Sequence, residues 1–414
     1  MGQASSLFGN YILRLALSMY VLETTGSAAV FAGILSAAAI PSILLAPFGG
    51  ILADRANRRN IMVALDALTG LAVLCTAVIL PGSHALVVIG GLLVVLSVFG
   101  AFETPTVQAC IPQMLAGDNI IRGNAVVNQI ASISYLTAPL LGGILYAAFG
   151  LKPVMFASVV CFFITASFEW FIKLGYRPGD AQGNMLSMIR NDFIGSIRFL
   201  MKEQPDLMKV LLLAALSRFF VMGIAMVGIP FLVRTILGLD AKFYGGAESA
   251  LAVATILGSL AAGLFTEKLQ IGKLYIVLSA IGIWIIPAGI VFLFPADAVI
   301  RYVVSVVSFC GMQAAISIFS IFAVSMIQQK TPDHLLGKVM AYTSAITMCA
   351  QPLGQMIYGF LFDGCREAVY LVLILTGSAV GMIGVGSAGC LRMMVVKQDW
   401  GWKMDCHYML KYDS

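Results

Sequence analysis

The chain has 414 residues, of which 60% are hydrophobic and 11% charged, with a formal net charge of +5. Soluble domains carry about 25% charged residues, so a chain this apolar could not cover its surface in water and reads as an all-α membrane protein. The eight cysteines form no CxxC pair and the three histidines are scattered, which gives no disulfide framework, no metal site and no cofactor.

Apolar segments of about 20 residues are long enough to cross about 30 Å of hydrocarbon. Taken in order they fall at about 5–22, 28–52, 61–80, 85–107, 125–149 and 153–174. The pattern then breaks. Residues 175–206 are polar, and Met185, Met188, Ile189, Phe193, Ile197 and Leu200 recur within them at helical spacing between Arg190, Arg198 and Lys202. That pattern predicts an amphipathic helix lying at the membrane surface. Six more spans follow at about 207–236, 246–266, 273–294, 298–327, 337–361 and 367–391. The expected organisation is a six-helix bundle over 1–174, a cytoplasmic linker over 175–206, a second six-helix bundle over 207–393 and a cytoplasmic tail over 394–414.

Charge fixes the expected orientation. With the loop after the second span placed inside, the outer loops hold only Lys152, Arg234, Lys242, Arg301 and Arg366 of the 25 basic residues. Arg14 and Arg218 lie within spans, and the remainder fall on the inner side. Basic residues in short loops stay cytoplasmic, so both termini are expected inside a cell membrane. The basic excess is thus topological and implies no nucleic acid. The halves also repeat. Gly50, Asp54 and Arg55 recur as Gly263, Glu267 and Lys268, and Pro139 recurs as Pro352, each 213 positions on. Such repeats are expected of transporters whose halves rock about a central site.

The stretch from Gly50 through Asp54, Arg55, Arg58 and Arg59 resembles the signature between the second and third helices of the major facilitator superfamily, with Asn57 where that pattern usually has glycine. The resemblance implies twelve helices in two bundles, and a conformational role for Asp54, Arg55, Arg58 and Arg59 in bracing helix ends on the cytoplasmic side. Glu267 and Lys268 are the fainter copy. A solvated, topology-setting loop is the alternative. Gly2-Gln3, Thr25 to Ala28, Thr104-Pro105 and Ser132 to Tyr135 are similar to the drug-exporter branch that includes macrolide efflux and enterobactin export proteins, which are bacterial. Pro139, Gly142 and Gly143 resemble the end of the antiporter signature; ordinary small-residue helix packing reads as well.

Ionisable groups inside the hydrocarbon are costly and usually face a cavity or a partner. Asp66 and Glu103 are the candidate coupling carboxylates, and Arg14 and Arg218, in the first helices of the two halves, the candidate cavity cations. Glu169 lies near a helix end, within reach of headgroups, and Glu248 near a helix start on the outer side. The resemblance implies a monomeric, proton-coupled exporter of a small hydrophobic or amphipathic compound, working by alternating access among membrane lipid. The alternatives are an importer of the same fold and, in another class, a non-transporting membrane sensor or an enzyme. No nucleotide-binding loop, HExxH motif or nucleophile elbow supports an enzyme.

Overall fold

A computed structural model describes residues 2–80, 84–114, 119–172, 201, 204–264 and 273–409. Most of the linker with its amphipathic helix, and both Glu267 and Lys268, lie outside these residues. Twelve long helices are present among the described residues, one for each expected span. They are α1 (Gly2–Thr25), α2 (Ala28–Arg55), α3 (Arg58–Ile79), α4 (Ala85–Met114), α5 (Asn119–Phe149) and α6 (Leu151–Trp170), then α7 (Pro205–Ile236) and α8 (Ala241–Leu264). The last four are α9 (Leu274–Ile290), α10 (Ala298–Lys330), α11 (Asp333–Gly364) and α12 (Val369–Met409). The final helix continues to Met409, past residue 394 where a separate tail was expected.

Ten of the twelve are long and apolar enough to cross a membrane by composition alone. The exceptions, α1 and α11, carry Ser5, Ser6, Asn10 and Arg14 in one case and Gln351, Gln355 and Asp363 in the other. Polar groups of this kind are not solvated by lipid, so they are tolerated where a neighbouring helix or a cavity takes them. Ser6 is 2% exposed and Gln355 3%.

The chain divides into two compact units. The first holds α1–α6 together with residues 222–252 and 351–364. Within it α3 packs on α4 and α6, α2 on α4, and α1 on α5 and α6. The second holds the start of α7, residues 253–350 and those from Cys365 onward, and in it α9 packs on α10 and α12. The third helix of each half thus contacts the fourth and sixth, as the sequence repeat predicts. At the α9–α12 crossing Gly282 lies against Gly377 and Gly381, and any side chain there would collide with backbone. Close approach through small residues is how membrane helices gain packing energy where burial from water is unavailable.

The first helix of the second half is less regular. From Ile224 to Ile236, α7 alternates two π-helical turns, Ile224–Gly228 and Leu232–Ile236, with one α-helical turn. Gly223 precedes and Gly228 closes the first of these turns, the former against the ring of Tyr358 and the latter against that of Phe362. Widened turns of this type are uncommon and concentrate at functional positions.

Candidate functional site

The α2–α3 junction is built by Asn57. Its carboxamide oxygen accepts the Arg59 N–H at 3.1 Å and starts α3. Arg58 folds back: its Nε donates to the Ala53 carbonyl at 2.7 Å and its Nη1 to the Ala109 carbonyl at 2.6 Å. The Ala53 carbonyl belongs to the last turn of α2, where a helix presents unpaired acceptors and its negative dipole end, and the Ala109 carbonyl lies five residues before the end of α4. The Arg59 guanidinium lies 5.0 Å from the ring centre of Trp170, at the end of α6. The first turns of α3 therefore tie together the ends of α2, α4 and α6. Gly50, Asp54 and Arg55 lie in the last turns of α2.

A short distance into the membrane, α1, α3, α4 and α6 bring three acids together. Ser6 Oγ contacts Asp66 Oδ1 at 2.9 Å and Glu103 Oε1 at 3.3 Å, so its proton is shared between two acceptors on different helices. Glu169 lies within electrostatic reach of Asp66 and Glu103, and its Oε2 is buried with no hydrogen-bond partner among the described residues. Asp66 is 2% exposed and Glu169 5%. Glu169 is therefore part of this cluster and not a headgroup ligand, because α6 turns it toward α3. Arg14, one turn beyond Asn10, donates from Nε to Asn10 Oδ1 at 2.8 Å and interacts with Glu103. Arg218 lies in the other compact unit, and its Nε is buried with no hydrogen-bond partner among the described residues.

The Pro139 motif sits where α5 meets two neighbours. Pro139 presents its carbonyl to Gly245 of α8, and Gly142 lies against the backbone of Ile12 in α1. A Cβ on Gly143 would come within 2.6 Å of the Ala241 carbonyl. The repeat supplies a matching joint, in which Gly359 of α11 faces Ala28 and Ala32 of α2. Ala28 and Ala241 are again 213 positions apart. Ser36 Oγ donates to the Pro352 carbonyl at 3.0 Å.

At the opposite ends of these helices a further network joins the two sequence halves. Glu23 at the end of α1 pairs with Arg234 of α7 at 2.9 Å and accepts the Tyr146 hydroxyl of α5 at 2.7 Å. Asp363 at the end of α11 accepts from Ser27 Oγ and from the Ala28 and Ala29 N–H groups at 2.8 and 2.9 Å. It therefore caps the N-terminus of α2 from another helix. Sequence reasoning passed over Glu23 and Asp363, and counted Arg234 only as a loop charge. The available signal was Gly26-Ser27, a left-handed glycine (φ 59°) followed by an N-cap serine.

Acids and bases partnered between membrane helices, with glycine-faced crossings repeated in two halves, define a polytopic membrane transporter. The Major Facilitator Superfamily family model matches residues 1–355, and the chain belongs to that family. It is 24% identical over 393 residues to macrolide efflux protein A of Streptococcus pyogenes, covering 93% of each chain. It is 23% identical to the multidrug efflux pump Tap of Mycolicibacterium fortuitum over 91% of each. Among solved structures it resembles the nucleoside transporter NupG, with a TM-score of 0.71 at 13% identity, covering 95% of this chain and 96% of that one. The family and these neighbours are transporters rather than enzymes.

Proposed function

We propose that this protein is a secondary active exporter that moves a small hydrophobic or amphipathic compound out of a bacterial cell against inward proton flow. The observation that carries the reading is the gathering of Asp66, Glu103 and Glu169 among four helices, with the Ser6 hydroxyl bonded to the first two. A proton taken up by one of these acids on α3, α4 or α6 lowers the charge the other two face, while Ser6 on α1 links Asp66 to Glu103. Any movement among these helices changes how well the acids hold it, which is the requirement for coupling proton binding to conformation. The efflux names of the relatives support outward transport. The excess of basic residues in alternate loops supports a cell-membrane orientation with both termini cytoplasmic.

In this reading Arg58 and Arg59, with Asp54 and Arg55 beside them, hold the cytoplasmic helix ends in one of the two states. Pro139, Gly142 and Gly143, together with Glu267 and Lys268 of the second copy, complete the conformational set. Arg14 and Arg218 are the cavity cations, Arg14 by balancing Glu103. The protein acts as a monomer with lipid around it. An importer of the same fold is the second reading, favoured by the resemblance to a D-xylose–proton symporter at a TM-score of 0.70.

The test is accumulation of a panel of dyes, macrolides and siderophores in a pump-deficient host, with and without an uncoupler. Export predicts lower accumulation of at least one compound, reversed by the uncoupler and abolished in Asp66→Asn at unchanged expression. Raised, uncoupler-sensitive accumulation would establish the importer, and no change for any compound would refute both.

A further inference from the structure

Near the midpoints of α8 and α10, at hydrocarbon depth, four uncharged polar side chains form one network within the second compact unit. Gln313 Nε2 donates to Thr255 Oγ1 at 3.0 Å, and Ser317 Oγ donates to the Thr255 carbonyl at 3.1 Å. Ser259 Oγ lies 2.9 Å from that carbonyl and 2.9 Å from Ser317 Oγ. The other end of the Gln313 amide, Oε1, is buried with no hydrogen-bond partner among the described residues. Ser259 is exposed and Gln313 half-buried, so the network opens on one side. The apolar side chains of Ile256 and Leu260, beside it on α8, are exposed as well.

The internal repeat shows what packing alone requires. Gly258 of α8 meets the Ala314 carbonyl of α10, where a Cβ would come within 2.6 Å. In the first half Gly49 of α2 meets the carbonyl of Ala101, the residue 213 positions before Ala314. There Ser42 and Thr104 keep the hydroxyls of Thr255 and Ser317, but Ala46 and Gly100 stand at the positions of Ser259 and Gln313. The crossing is thus made without the exposed hydroxyl and without the amide. A hydrogen bond between membrane helices adds little, whereas an unmatched end of a carboxamide in hydrocarbon is costly. A guest that supplies the missing partner removes that cost. The four groups carry no charge, so nothing offsets the desolvation of an ion. A hydroxyl both donates and accepts, and so satisfies the free end of the amide and the Ser259 Oγ alike. We infer that Gln313 and Ser259, held by Thr255 and Ser317, form a cargo-recognition site for an uncharged, hydroxyl-bearing amphipathic compound whose carbon skeleton rests on Ile256 and Leu260. This narrows the cargo of the exporter proposed above and rests on that reading for its role in transport, although binding itself needs no gradient.

The probe is tritiated hydrocortisone, a neutral compound with several hydroxyls on an apolar ring system, bound to the full-length chain in detergent and read by scintillation proximity. Progesterone, the same ring system without hydroxyls, is the competitor. The parent chain should bind hydrocortisone and prefer it to progesterone. Gln313→Leu should weaken hydrocortisone binding by about fivefold or more and leave progesterone within about twofold, and Ser259→Ala should weaken hydrocortisone by about threefold. Equal weakening of both ligands marks a packing role and overturns the site. Parent-like hydrocortisone affinity in Gln313→Leu overturns it too, as does a parent chain that does not bind hydrocortisone or does not prefer it. If Gln313→Leu does not fold, Ser259→Ala decides, since its counterpart in the first half is already alanine, and parent-like hydrocortisone affinity there overturns the site. The export reading fails separately: cells lacking uncoupler-sensitive efflux would refute export while leaving hydrocortisone binding, and its dependence on Gln313, intact.

Discussion

Asp363→Ala should release the first turn of α2. The wild-type carboxylate accepts three hydrogen bonds there, one from Ser27 and two from backbone N–H groups of Ala28 and Ala29. Hydrogen bonds to a charged group contribute about 1.5–3 kcal/mol each, and water replaces part of this at a half-buried helix end. A charge at a helix N-terminus adds about 0.3–1 kcal/mol. Discounting the three bonds by about half leaves roughly 3 kcal/mol, or about a hundredfold in the equilibrium for opening the α2–α11 joint. Hydrogen–deuterium exchange followed by mass spectrometry reads this directly, because the Ala28 and Ala29 amides are protected by Asp363. Exchange in a peptide covering residues 27–31 should quicken by about two orders of magnitude in Asp363→Ala. Asp363→Asn keeps one acceptor oxygen and should fall between the two. Exchange within twofold of wild type in Asp363→Ala would refute the assignment of α2's protection to this carboxylate.

Further outcomes follow from the same geometry. Arg58→Ala removes two bonds to helix-end carbonyls and should cost about 2 kcal/mol, seen as a lower melting temperature in detergent; Arg58→Lys should recover only part because it lacks the fork. Gly143→Val drives a side chain into the Ala241 carbonyl and should cost about 1–3 kcal/mol, with transport lost while membrane insertion is kept. Glu169→Gln removes one carboxyl from the group with Asp66 and Glu103 and should abolish uncoupler-sensitive transport at unchanged membrane expression, read by the accumulation assay.

Apolar runs placed an expected span on each of the twelve long helices among the described residues, because lipid imposes a length and a polarity that a linear sequence displays directly, although α1 and α11 carry too many polar groups for hydropathy by itself to decide. The loop signature was legible in part for a related reason: Asn57 caps its own helix and Arg58 reaches a carbonyl five residues back, whereas the contacts with Ala109 and Trp170 are long-range and were not. The acid cluster was only half legible. Asp66 and Glu103 were recognisable as costly charges, but Glu169 was read as reaching the headgroups. Depth along a helix can be counted from sequence, whereas rotation about its axis cannot, and rotation is what turns Glu169 toward α3. Charge counting placed Arg234 in an outer loop but was blind to its pairing with Glu23, which comes from a helix more than two hundred residues earlier in the chain.

The two matched joints, Ala28 against Gly359 and Ala241 against Gly143, also carry a history. If the halves descend from one duplicated unit, both joints began with the same strength. They are no longer equal. The α2–α11 joint has gained a serine clip on Pro352 and an aspartate cap on its outer end, whereas at α5–α8 the equivalent contact remains bare backbone against backbone. Drift has therefore left one seam fastened by side chains and the other held by shape alone. Further divergence is free to retune the first by single substitutions, while the second can change only if both helices change together.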